Sequence, residues 1–101
     1  MQTLNATVLS ILKLQPHRKR DNLDRQGKET GMEFWQMRVS YLGPQTLYEM
    51  ELREPLKSIA SKKHTVGLNG FVEFEMLFEP NVAAGDNILI DAYEPGEKLL
   101  G

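Results

Sequence analysis

The sequence contains no cysteine, which excludes disulfide bonds and thiolate metal sites and suits a reducing compartment. No apolar run reaches the length needed to cross a bilayer. The first residues lack the basic start and the apolar block of a signal peptide. We therefore expect a cytoplasmic protein that has no membrane partner.

Groups suited to catalysis are also scarce. The two histidines, His17 and His64, have no carboxylate or nucleophile at a useful spacing. The glutamate pairs at 49/51 and 73/75 alternate along predicted strands, where solvent-exposed carboxylates are more common than cation sites. No phosphate-binding glycine loop of recognised spacing occurs. We predict no enzyme, no catalytic residue, no metal site and no cofactor.

Length and charge indicate one soluble domain with an uneven surface. The 101 residues suit a single core, which we assign to residues 1–94, with a tail at 95–101. The net charge of −2 disfavours a nucleic-acid binder. However, residues 1–30 hold six basic and three acidic side chains, and the chain from Val66 onward holds one basic and seven acidic side chains. This asymmetry predicts one positive face on an acidic body; the alternative is mixed charge that only confers solubility.

Alternation of apolar and polar residues predicts mainly β-structure. Residues 3–14 form the first strand, with one face made of Leu4, Ala6, Val8, Ser10, Leu12 and Leu14. Leu9 and Ile11 interrupt the other face, so the strand is bent or covered on both sides. Residues 15–31 are polar and predict a long loop, and loops of this length in small domains are often functional.

The middle of the chain predicts a hairpin followed by a helix. Residues 32–42 form a strand that buries Trp35 and exposes Phe34 and Arg38. A Gly-Pro-Gln turn leads to a strand at 46–53, which we expect to pair with the strand before it and to expose Glu51. A proline at the start and basic residues at the end predict a helix over 54–64.

Two further strands complete the predicted order. Residues 66–78 predict one long strand, bent or bulged at its glycines, with Phe71 outward and Phe74 and Phe78 in the core. A loop at 79–86 leads to a last strand at 87–93, on which Tyr93 points outward. Five strands with a short helix between the third and fourth are typical of a Greek-key oligonucleotide/oligosaccharide-binding (OB) barrel. The alternative is an open antiparallel sheet with one helix on a face.

In an OB barrel the ligand lies across strands two and three, between the loops that join strands one–two and four–five. The first of these loops is the basic loop at residues 15–31, and the second is the loop at 79–86. Basic groups bind phosphates and exposed rings stack on bases, which together suit single-stranded nucleic acid. The candidate binding residues are Arg18, Lys19, Arg20, Arg25, Lys28, Phe34 and Arg38. A solvated run of charge is the alternative.

The segment Arg25-Gln-Gly-Lys28 resembles the DNA-binding loop of the single-stranded DNA-binding proteins of filamentous bacteriophages, and more loosely that of small binders from phages and mobile elements. The resemblance covers these four residues and the order of strands. It implies that Arg25 and Lys28 contact phosphates and that a homodimer coats single strands cooperatively in a bacterial or phage-infected cell. Thr30 stands where that family has an aromatic residue, so we expect Phe34 to supply the ring.

The sequence thus favours a sequence-tolerant single-stranded DNA-binding protein for replication or transfer of a phage or mobile element. Whether RNA also binds stays open, since that depends on contacts with the 2′-hydroxyl group. The alternative is a non-enzymatic adaptor or assembly subunit. It would present an acidic, partly apolar face to a protein partner through Leu47, Phe71, Leu89 and Tyr93.

Overall fold

The computed structural model describes residues 1–14, 34–62 and 64–97. The elements, in chain order, are β1 (Gln2–Leu14), β2 (Phe34–Tyr41), β3 (Tyr48–Leu52), α1 (Leu56–Ile59), β4 (Thr65–Gly67), β5 (Phe71–Met76) and β6 (Asn87–Tyr93). The predicted loop at 15–31, the first two residues of the predicted second strand and the end of the predicted tail lie outside the described residues.

The strands form one six-stranded sheet in the order β4-β3-β6-β1-β2-β5, with every pair antiparallel. The two outer strands approach each other at an isolated bridge between Leu68 and Phe71. The sheet therefore curls into a nearly closed barrel. The mainly β character and the single short helix of the prediction are confirmed, but the described chain has six strands instead of five.

The barrel core is built from the inward residues of the long strands. Met37, Met50, Met76, Ile90, Val8 and Val39 are the largest side chains that are fully buried. The alternation along β2 buries Met37, Val39 and Tyr41 as predicted, while Trp35 is partly buried against the same core. Methionine is flexible enough to fill irregular space where strands from different parts of the chain meet.

The predicted hairpin between the second and third strands is wrong. β2 pairs with β1 and β5, whereas β3 pairs with β4 and β6. The Gly-Pro-Gln segment therefore leads from one side of the barrel to the other. Alternation separates the two faces of a strand, but it carries no information on which strand lies alongside.

The predicted long strand at 66–78 is also wrong, because it is two strands joined by a tight turn. Asn69 and Gly70 have φ angles of 57° and 82°, the left-handed values that a two-residue hairpin turn requires. Leu68 and Phe71 exchange two backbone hydrogen bonds of 3.0 and 3.1 Å across this turn. The Asn-Gly pair is the sequence signal for this hairpin, so the predicted bend or bulge at the glycines is a reversal of the chain.

A bulge in β1 changes which side chains of that strand face the core. Val8 and Ser10 lie opposite Val39 and Arg38, so Leu9 is the extra residue. Beyond it Ile11 packs against the core, and Leu12 is 53% exposed. The prediction that Ser10, Leu12 and Leu14 share the inward face of Leu4 is therefore wrong, while the predicted bend is present.

The helix is shorter than predicted because the residues at its C-terminal end form hydrogen bonds with the chain at the end of β5. Ala60 bridges to Met76, and the Ser61 N–H donates to the Glu75 carbonyl at 2.8 Å. The Leu77 N–H donates to the Ile59 carbonyl at 2.7 Å. These strand-like bonds end the helix one turn after Pro55 and cover part of the outer edge of β5.

Two side chains have the opposite burial from that predicted. Phe78, expected in the core, is 65% exposed because β5 ends at Met76 and the chain then leaves the sheet. Glu51, expected outside, is only 4% exposed. Its Oε2 atom lies 3.5 Å from the Tyr93 hydroxyl, which donates to it, and 3.7 Å from the Lys57 Nζ atom. Packing between β3, β6 and α1 buries this carboxylate.

Among the described residues, no helix is long and apolar enough to cross a membrane.

Candidate nucleic-acid interface

The segment 15–33 leaves and re-enters the barrel at two adjacent strand ends. Leu14, the last residue of β1, lies opposite Phe34, the first residue of β2, and Lys13 lies opposite Trp35. Five candidate phosphate-binding residues lie in that segment and outside the described residues: Arg18, Lys19, Arg20, Arg25 and Lys28. The base of the segment is thus defined, and the other two candidates, Phe34 and Arg38, lie on the strand that follows it.

Phe34 and Arg38 share the outer face of the barrel. The outward side chains of β2, here called the outer strip, are Phe34, Gln36, Arg38 and Ser40. Phe34 is partly buried beside Leu14, and Arg38 is exposed. Four residues of extended chain separate them by about 13 Å. A strand of nucleic acid that starts at the basic segment could follow this strip along the barrel.

Arg38 already has a partner on β5. Its Nε atom lies 3.2 Å from Oε1 of Glu73, and the Gln36 Nε2 group donates to Oε2 of the same carboxylate at 2.9 Å. Both side chains of the ion pair are about half exposed, at 55% and 51%. Exposed pairs of this kind contribute at most about 1 kcal/mol, so a phosphate can compete with Glu73 for Arg38.

We expect Glu73→Gln to raise the affinity for oligo(dT) by about two- to five-fold, because it releases Arg38 and removes a negative charge beside the outer strip. Fluorescence anisotropy at one fixed salt concentration measures the change. Glu79→Gln is the control, since it changes the net charge equally on an exposed residue outside the strip. An equal gain in affinity in both variants would show that the gain comes from the change in net charge and does not depend on Arg38.

The described part of the barrel is acidic. It holds five Lys or Arg residues, Lys13, Arg38, Arg53, Lys57 and Lys62, and ten acidic residues, Glu49, Glu51, Glu54, Glu73, Glu75, Glu79, Asp86, Asp91, Glu94 and Glu97. Arg53 and Lys57 pair with Asp91 and Glu51. Among the described residues, acidic side chains therefore outnumber Lys and Arg by two to one.

A groove that was not predicted lies on the outer face at the far end of the outer strip from Phe34. It has a volume of about 530 Å³, and we call it the amide groove. Its polar and aromatic lining includes Asn5, Thr7, Ser40, Gln45, Asn69, Phe71 and Asn87. Burial raises the pKa of Tyr41, which also contacts the groove, so its phenol stays neutral. The sequence offered only isolated Asn, Ser and Thr residues, because strand register alone brings them together.

Several exposed apolar residues surround the β4–β5 turn. Leu42, Leu47, Val66, Leu68 and Phe71 are between 44% and 90% exposed. Val66, Leu68 and Phe71 line a second groove of about 370 Å³ beside Arg38 and Glu73. Leu47 and Phe71 belong to the predicted protein-binding face, whereas Leu89 and Tyr93 lie on β6. The four members of that predicted face are thus divided between different parts of the barrel.

The described residues contain no group of three or more His, Asp or Glu side chains that could hold a metal ion. A scan against protein-family models, a search of curated proteins and a search of solved structures found no match to this chain.

Proposed function

We propose that this protein is a non-enzymatic, sequence-tolerant single-stranded DNA-binding protein, used in replication or transfer of a phage or mobile element. The strand would enter at the basic segment and run over the outer strip, with Phe34 stacking on a base. The ligand of an OB barrel lies across strands two and three. Because β2 and β3 are not paired here, the proposed path instead follows β2 and its neighbours β1 and β5. We also propose that it acts as a homodimer in a bacterial or phage-infected cytoplasm.

The observation that carries the proposal is the position of the strand ends. Leu14 and Phe34 are paired neighbours, so the basic segment begins and ends beside an aromatic ring on the outer face. Positive charge supplies affinity for the phosphates, and a ring supplies stacking that tolerates any base. These are the two features that single-strand binding requires, and here the basic segment directly precedes the ring in the chain.

The acidic surface of the barrel bears on how binding should depend on salt. The described surface carries more acidic than basic side chains, so attraction for phosphates would come only from the cations that contact them. Salt should weaken that attraction in proportion to the number of contacts. About five phosphate contacts give a slope of log K against log salt of about −3 to −4 for a single strand. A slope near zero would not be compatible with the proposed contacts.

Titration with poly(dT) at low and at high salt tests the proposal. Trp35 is the only tryptophan, and it lies on β2 next to Phe34, so its fluorescence reports on this end of the barrel. We expect saturable quenching that disappears at high salt, and a gel shift at low salt that confirms the complex. If neither method detects binding at low salt, the proposal is wrong.

The exposed apolar cluster around the β4–β5 turn favours a second candidate, the adaptor or assembly subunit. Leu68 and Phe71 are 44% and 55% exposed at a hairpin tip, where an apolar partner surface could cover them. Such binding is driven by apolar burial and would persist or strengthen in salt. Salt dependence therefore separates the two candidates.

A further inference from the structure

The amide groove is built on a straight row of side chains that crosses four strands. Asn87 on β6 lies opposite Thr7 on β1, Thr7 lies opposite Ser40 on β2, and Ser40 lies opposite Phe71 on β5. Three strand spacings make this row about 14 Å wide. The two central side chains are small, and the outer two are larger. The row is therefore a shallow trough with an amide at one end and an aromatic ring at the other.

The lining of the trough contains no ionisable carboxylate, amine, guanidinium or imidazole group, although charged residues make up 26% of the sequence. Asn5, Gln45 and Asn69 add three further side-chain amides, and all three residues are exposed. Thr7 donates from Oγ1 to the Oδ1 atom of Asn87 at 3.3 Å. Amides both donate and accept hydrogen bonds, as do the edges of nucleobases. Phe71, a residue that is 55% exposed, offers an aromatic ring.

The trough adjoins one end of the outer strip. Ser40 is both the last residue of that strip and part of the trough floor. Arg38 lies two residues earlier on the same face, about 7 Å along the strand, and Phe34 lies about 20 Å away. A phosphate at Arg38 would therefore place an adjoining base within reach of the trough. Phe34 and Phe71 would then stack bases at opposite ends of one continuous path.

We propose that the amide groove binds a nucleobase at the far end of the strand, with Phe71 stacking on the base and the Asn side chains bonding to its edge. This inference rests on the proposed function, because it extends the same binding path from the basic segment across the barrel. It changes the role expected for Phe71, which the sequence favoured as a protein contact.

Photocross-linking locates the bases directly. Oligo(dT) of about 16 nucleotides, a length within the range of known single-domain sites, carries one 5-iodouracil at successive positions. After irradiation of the complex with the full chain, the cross-linked peptides are identified by mass spectrometry. We expect one set of positions to label the peptide that contains Phe34 and a distant set to label the peptide that contains Phe71. Binding with labels only near Phe34 would overturn the inference and leave the proposed function intact.

Phe71→Leu gives an independent measurement. Loss of stacking should weaken binding of the same oligonucleotide by about 5- to 150-fold. Oligonucleotides too short to reach the groove should bind the variant and the parent protein equally. Phe78→Leu is the matched control, since Phe78 is 65% exposed and lies outside the groove. Equal affinity of Phe71→Leu and the parent for the long oligonucleotide would overturn the inference, and absence of binding by the parent would overturn the proposed function with it.

Discussion

Arg25→Ala/Lys28→Ala is expected to weaken binding of oligo(dT) by about 100-fold at low salt, since each charge-assisted hydrogen bond contributes about 1.5 kcal/mol. The two residues flank the Gln-Gly pair of the segment that resembles the phage proteins. Loss of two phosphate contacts should also make the salt slope less negative by about 1.4. Anisotropy titrations at several salt concentrations give both quantities from one set of data.

The control for this prediction is Lys62→Ala/Lys98→Ala, which removes the same charge from other parts of the chain. It should change the affinity less than Arg25→Ala/Lys28→Ala does, because neither lysine is among the proposed phosphate contacts. If both double variants lose affinity equally, the net charge of the protein would govern binding and Arg25 and Lys28 would have no defined contacts.

Phe74→Ala is expected to lower the free energy of unfolding by about 3–5 kcal/mol, since it leaves a cavity in a closely packed core. Phe74 is 3% exposed and lies opposite Met37, which is fully buried. Because small domains are stable by only about 5–15 kcal/mol, the variant should be near the limit of folding. Urea denaturation followed by Trp35 fluorescence measures the difference.

Phe78→Ala is the comparison variant. Alternation predicted both Phe74 and Phe78 in the core, whereas the structure buries Phe74 and exposes Phe78. We expect a change of less than about 0.5 kcal/mol for Phe78→Ala, as for most exposed sites. A large loss from this variant would show that Phe78 is buried in solution. It would contradict the end of β5 at Met76.

The strands that alternation predicted best are those with one covered and one solvated face. β2 and β6 follow the predicted inward residues, since a period of two places every second side chain in the core. β1 follows this two-residue period only as far as Val8. Beyond it, the extra residue Leu9 of the bulge exchanges the inward and outward positions. The sequence contains a sign of this bulge, since Leu9 and Ile11 are apolar at positions where the alternation predicts polar residues.

Strand pairing could not be predicted in the same way. The neighbours of β2 are separated from it in sequence, apart from β1 across segment 15–33, and pairing depends on how six strands share one core. The Asn69-Gly70 turn is an exception, because its left-handed backbone angles follow from two residues. Reading that dipeptide as a hairpin would have given two strands in place of one.

The candidate interface could likewise be predicted only in part from the sequence. The outward position of Phe34 and Arg38 follows from alternation on β2. Their surroundings do not, since Glu73 meets Arg38 only through the register of β2 with β5. The amide groove depends on three registers at once, so no stretch of the sequence contains its pattern.

By itself, the sequence determined the β character, the position of the basic segment and the face of each side chain on the regular strands. These properties depend on backbone propensity and on the two-residue period, which act within a few residues. Only the tertiary structure decided the partner of each strand, the burial of Glu51 and the row from Asn87 to Phe71. Those depend on closing one barrel around one core, and closure brings together residues that are far apart in the chain.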